Sequence, residues 1–193
     1  MRWRGQEGFT LPELLVVVAI LPVVLLALLS ALNTTTKLAP RSIEYANAVQ
    51  EAGNGLSRAI QQIRQSTRVI ATTPNSLTFV TSSGGVDSQV NISCGVTSTF
   101  TAPDGSALRR CVRTSAPLTG SLPSPSTGAV LVDRLVNGTI ADPVFEFSPS
   151  PIAPTYVRLL VKVPPRGAGR QGTRSTPIII DDGTLLRNST VGS

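Results

Sequence analysis

Glu13 is the residue whose position most needs a chemical explanation. It stands alone at the edge of Leu14 to Leu32, 19 residues without a charge in which only Pro22 and Ser30 are not plainly apolar. An isolated carboxylate within a bilayer costs about 2.5–3.5 kcal/mol or more, so it needs a cation. Four residues upstream of Glu13 is Phe9, which follows Gly8. A cut between Gly8 and Phe9 creates an α-amine at the depth where Glu13 requires one, and the pair can form between neighbouring subunits.

The rest of the chain offers little for catalysis. Histidine, the commonest general base and transition-metal ligand, is absent, and the two cysteines alone cannot make a four-ligand zinc site. No serine or aspartate stands in a recognisable nucleophile-and-base pattern. No catalytic residue, metal site or cofactor is therefore expected, and a membrane-anchored extracytoplasmic enzyme is the weakest reading. Cys94 and Cys111 suit an oxidising exterior, and a disulfide between them would staple a long hairpin whose intervening Thr97 to Ser106 reads as loop. The competing readings are two reduced core thiols or a redox pair; the wide spacing and the absence of a CxxC argue against the latter.

The cations are 15 arginines with only Lys37 and Lys162, giving a formal net charge of +6. That balance suits DNA, anionic lipid or acidic polysaccharide without choosing among them. Arg109, Arg110 and Arg113 flank Cys111, while Arg166, Arg170 and Arg174 lie in the Gly-rich segment PPRGAGRQGTR. The second group is where a polyanion such as nucleic acid would be met, but no aromatic residue is interleaved for base stacking, and both groups read first as solvated loop charge. The Asn-X-Ser/Thr triplets at Asn33, Asn91, Asn137 and Asn188 are expected by chance in so Ser/Thr-rich a chain.

These residues must be positioned by a short list of elements. The apolar block is long enough for roughly 28 Å of helix, close to the thickness of a bilayer's hydrocarbon core. Arg2 and Arg4 precede it, so the amino terminus belongs in the cytoplasm and everything after Leu32 outside. A cleaved secretory signal is a poor fit. The block is too long, and the small residues near Ser30 and Ala31 are flanked by Leu29 and Leu32.

At this point the sequence resembles a family. GFTLPELLVVVAI, running from Gly8, resembles the cleavage and methylation motif of type IV prepilins and type II secretion pseudopilins. Gly8, Phe9, Thr10, Leu11 and Glu13 fall on the pattern; Pro12 replaces the usual aliphatic residue, at a place where a helix tolerates proline. The resemblance implies that prepilin peptidase recognises Gly8, that Phe9 becomes the N-methylated first residue, and that Glu13 neutralises the amine of an adjacent subunit. It also implies the partners: other pilin or pseudopilin subunits, the peptidase, an inner-membrane assembly platform and membrane lipid, with nucleic acid an unsupported addition.

Beyond the block, Ala46, Val49, Leu56, Ile60, Ile63 and Ile70 recur at helical spacing, with Pro40, Gly53 and Gly55 softening the run and Pro22 kinking the first half. After Thr73 the pattern becomes short β-type runs: Leu77 to Thr81, Val90 to Ser93, Leu108 to Arg113, Ala129 to Leu135, Val144 to Phe147, Tyr156 to Val163, Ile178 to Ile180 and Leu185-Leu186. The proline-rich Thr114 to Thr127 reads as irregular. This organisation is α+β and pilin-like, a long kinked helix packed on an antiparallel sheet. Its expected divisions are a leader at 1–8, a membrane or filament-core helix at 9–32, its extracytoplasmic continuation at 33–73 and a β-rich domain at 74–193. The helix end from Arg58 to Gln65, the strand Leu77-Thr78-Phe79 and the closing Leu186-Arg187-Asn188 resemble minor pilins and J-type pseudopilins. The function implied is a structural filament subunit, with a DNA-binding or adhesive pilin, or an unprocessed signal-anchored protein, as alternatives.

Overall fold

The structure is a computed structural model describing residues 11–102, 105–164 and 176–186, with the side chains of 31–45 outside that description. A single helix, α1 (Leu11–Arg64), opens it and eight strands follow. The helical assignment runs without a break past Pro22, Pro40, Gly53 and Gly55. The chain divides into two compact units, 1–43 and 44–193.

In the first unit the described residues are helical, and the stretch Leu11–Ser30 has no residue buried. Leucine, valine and alanine hold such a segment helical from within, because every interior backbone group except those freed by proline is bonded along the axis.

The second unit is a helix on antiparallel sheet. β1 (Ser66–Thr73), β2 (Ser76–Ser83), β3 (Val86–Thr101), β4 (Ala107–Pro117) and β5 (Ala129–Leu135) form a five-stranded sheet in chain order. β6 (Phe145–Ser148), β7 (Tyr156–Val163) and β8 (Ile178–Leu185) form a second sheet with β7 central. Alternation does the sorting. Leu77 and Phe79, Val90, Ile92 and Cys94, and Val157, Leu159, Val161 and Val163 are buried in one cluster with Leu56, Ile60 and Ile63 of α1. The α+β arrangement expected from the periodicity is what the protein has.

Three elements differ from expectation. The helix ends at Arg64 rather than near Ile70, and Ser66–Thr73 is a strand. Ile70 stands seven residues after Ile63 and so extends the helical spacing, but Thr67, Val69, Thr72 and Thr73 are β-branched and favour extended backbone. In the strand Val69 is buried and Ile70 exposed. Similarly, β3 continues to Thr101, so the first half of the expected Thr97–Ser106 loop is sheet. Ile178 to Ile180 and Leu185 also belong to one strand, which carries Asp181, Asp182 and Gly183 through a register paired with Leu160, Leu159 and Arg158 respectively.

The helix stripe differs too. Its buried residues are Ala48, Ala52, Leu56, Ala59, Ile60 and Ile63, whereas Ala46 is exposed and Val49 only half-buried. Small residues occupy this face because β5 comes close. A side chain on Gly55 would run into the Leu131 carbonyl and the Val132 side chain, while one on Gly53 would meet nothing within 4 Å. Gly55 is a packing contact rather than a softening of the helix.

Candidate functional site

Of the motif residues, Leu11, Pro12 and Glu13 form the first turn of the described helix; Gly8, Phe9 and Thr10 lie outside the described residues. Pro12 sits where its missing N–H had no intrahelical partner. Glu13 is exposed and is the acidic residue of the helix's first turn, where the unpaired N–H groups and the macrodipole favour negative charge. That effect acts over about one turn, so it accounts for a carboxylate at this end of the helix and not farther along.

Downstream of Glu13 the helix is apolar on every side. Leu11–Ser30 has a mean hydropathy of 2.8 over 20 residues. Leu15 is 65% exposed and Val17 50%, on nearly opposite faces of the same turn. An amphipathic helix would leave only one such face uncovered; a helix apolar all round suits lipid or a bundle of like helices. The arrangement is thus an anionic residue at the mouth of an apolar rod, which can hold a cation at a membrane boundary and perform no bond chemistry by itself.

The cysteines are joined. Cys94 of β3 and Cys111 of β4 form a disulfide, both within the buried cluster that faces α1. It lies where the register between the two strands shifts, between the Ser93–Val112 and Val96–Arg110 pairs. Gly138, at a φ of 98°, lies against this place: a side chain there would strike the Cys94 carbonyl.

The arginines that flank Cys111 are not solvated loop charge. They are half-buried strand residues. Arg109 Nη1 donates to the Gly95 carbonyl at 3.0 Å and Arg110 Nη2 to that of Ser126 at 3.4 Å. The second bond helps hold the proline-rich segment after β4 against the sheet face away from α1, as does the Gln89 amide, which donates to the Gly120 carbonyl. Beneath this cover Val80, Leu108 and Val112 are buried. The segment contains a short 3-10 turn at Pro125–Thr127 capped by Ser124. Arg166, Arg170 and Arg174 lie outside the described residues.

One polar residue that carried no signal in the sequence holds the two sheets together. Asn137 is fully buried; its Nδ2 donates to the Leu160 carbonyl at 2.7 Å and its Oδ1 accepts from the Lys162 N–H at 3.0 Å. Beside it the Val136 N–H donates to the Lys162 carbonyl at 2.9 Å. The Asn-Gly-Thr triplet there is structural, and its amide nitrogen is not accessible in the folded chain. On the outer face of the second sheet, Arg158 bonds Asp181 at 2.7 Å and Glu146 at 3.2 Å. The Asp181 hydrogen bond, followed by the charge of Asp181, raises its pKa above the ordinary arginine value.

Comparison with curated proteins and with solved structures finds no match. Comparison with protein families finds one, the prokaryotic N-terminal methylation motif, over residues 3–29. The match covers the Gly8–Phe9 junction, Glu13 and almost all of the exposed apolar stretch. That motif, leading into an apolar helix and an α+β body stapled by a disulfide, supports the resemblance of the chain to type IV prepilins and type II secretion pseudopilins.

Proposed function

We propose that the protein is a structural subunit, a minor pilin or pseudopilin, of a type IV pilus-like or type II secretion filament. The observation that carries this is the methylation motif set directly on a helix with no buried residue from Leu11 to Ser30. In this reading residues 1–8 are a leader, prepilin peptidase cuts between Gly8 and Phe9, and the new amine of Phe9 is methylated. The helix holds the subunit in the cytoplasmic membrane, amino terminus inward, until an inner-membrane platform draws it into the filament. Glu13 then neutralises the amine of a neighbour. Residues 9–32 act as the membrane and filament-core helix, and the β-rich domain is displayed outside. The motif is that of a structural protein, and assembly is the function it supports.

Intact-mass and amino-terminal analysis of protein from cells with and without a prepilin peptidase tests this. The expected result is a chain that begins at Phe9 and carries one added methyl only when the peptidase is present. An uncut chain, or one cut near Ala31, would overturn the proposal. The formal charge of +6 supports a secondary reading in which Arg166, Arg170 and Arg174 meet a polyanion. Salt-dependent retention of duplex DNA, lost when the three are replaced by glutamine, checks it.

A further inference from the structure

At the carboxyl end of α1 the second unit has a recess of about 490 Å³, lined by Gln62, Gln65, Thr81, Ser82, Ser83, Gly84, Val90 and Arg113. Val90 is the single aliphatic residue in that lining. Its other side chains are a guanidinium, two carboxamides and three hydroxyls, a concentration of hydrogen-bonding groups within the size range of small-molecule sites. Arg113 reaches this place because it is paired with Ile92 in the β3–β4 register, two residues on from Cys111 and so on the face that packs toward α1.

The carbonyl end of a helix attracts a cation, and this explains why an arginine is tolerated beside Gln62 and Gln65. It leaves the hydrogen-bonding capacity of the recess unused. Arg113 Nε and Gln62 Oε1 are both occluded and have no hydrogen-bond partner. The three ion pairs found among the described residues are made by Arg158 and Lys162, so none of them engages Arg113. With Nε occluded, the terminal nitrogens are the part of the guanidinium that can meet a ligand, and their planar fork matches a carboxylate.

We propose that this recess binds an acidic saccharide, a hydroxyl-rich ring bearing one carboxylate. The carboxylate meets Arg113. Ring hydroxyls, which both donate and accept, meet the Gln62 and Gln65 amides and the hydroxyls of Thr81, Ser82 and Ser83. The helix end favours this class over a compact inorganic anion: carbonyl groups repel a bare anion but accept hydrogen bonds from ring hydroxyls. The proposal is independent of the filament reading, since every residue in it belongs to the second unit.

The test is titration of the full chain in detergent micelles, followed by NMR, with three probes in separate arms: a set of uronates (glucuronate, galacturonate and mannuronate), glucose, and acetate. At least one uronate is expected to shift the amide signals of Ser82, Ser83 and Gly84 saturably, with glucose and acetate weaker by about tenfold or more. Arg113→Gln should weaken uronate binding by about tenfold while the amide spectrum elsewhere is retained. If that variant fails to fold, Arg113→Lys, which keeps the charge and loses the fork, should bind uronate measurably less tightly than the native chain. Glucose binding as well as the uronates would overturn the role of the charge. Acetate binding as well would overturn the saccharide class, and no shift with any uronate would overturn the site.

Discussion

Glu13 and Asn137 are both polar residues in surroundings that penalise polarity, and the penalty is met differently in each. At the helix mouth Glu13 has the macrodipole and, in the proposed filament, the Phe9 amine of a neighbouring subunit. Glu13→Ala is therefore expected to leave cleavage intact while incorporation into filaments falls sharply, read as mature protein that stays in the membrane and is missing from the sheared filament fraction. Normal incorporation would remove the role assigned to the carboxylate. Asn137 has its bonds within the fold. Asn137→Ala strands the Lys162 N–H and the Leu160 carbonyl, and unfolding of the variant should show a loss of about 1–3 kcal/mol. Gly55→Ala, although alanine is the better helix former, is expected to cost a further sum of similar size, about 1–3 kcal/mol, because the helix and β5 must separate. A stabilised Gly55→Ala chain would show that the helix propensity outweighs the contact.

Among the elements, α1 has two jobs imposed by two patterns of side chain. Its first twenty described residues are apolar all round and its last twenty carry a stripe of small and large apolar residues against the sheet. A charge in the first part should act on the membrane and not on the fold. Val18→Arg costs about 2.5–3.5 kcal/mol of insertion free energy at mid-helix, and carbonate extraction of membranes should find the variant released or degraded where the native chain is retained. Retention at native levels would argue against a spanning segment. The strands show what a pattern of period 2 can and cannot disclose. β7 alternates, both β5 and β7 are flanked by turn residues, and their observed ends coincide with the expected ones. β1 and the distal half of β3 are rich in threonine and serine, which serve strand, turn and loop alike, so only pairing with a neighbour decides their state.

At the scale of the molecule, the units 1–43 and 44–193 divide the chemistry between them: the first contains the apolar, unburied stretch Leu11–Ser30, and the second carries its own core. A fragment from Glu44 onward is expected to be soluble without detergent and to unfold in one cooperative step. Precipitation, or a broad transition without a baseline, would show that the core depends on the preceding helix. In the same fragment, reduction of Cys94–Cys111 should lower the stability by about 3 kcal/mol, since the bond closes a loop of 17 residues. Unchanged denaturation with and without reductant would mean that the strands hold that register unaided.

What was legible in the sequence was whatever depends on neighbours along the chain. The methylation motif, the helical spacing from Leu56 to Ile63 and the alternation of β7 are local patterns, and each pointed to its family resemblance or its element directly. The tertiary structure decided the rest, because those outcomes depend on groups brought together from distant positions. The Leu131 carbonyl makes Gly55 necessary, Leu160 and Lys162 turn a chance-looking triplet into the joint between sheets, and sheet register places Arg113 beside Gln62 at the end of the helix. No spacing rule connects those pairs; burial does, since a polar group removed from water must find its partner wherever the fold supplies one.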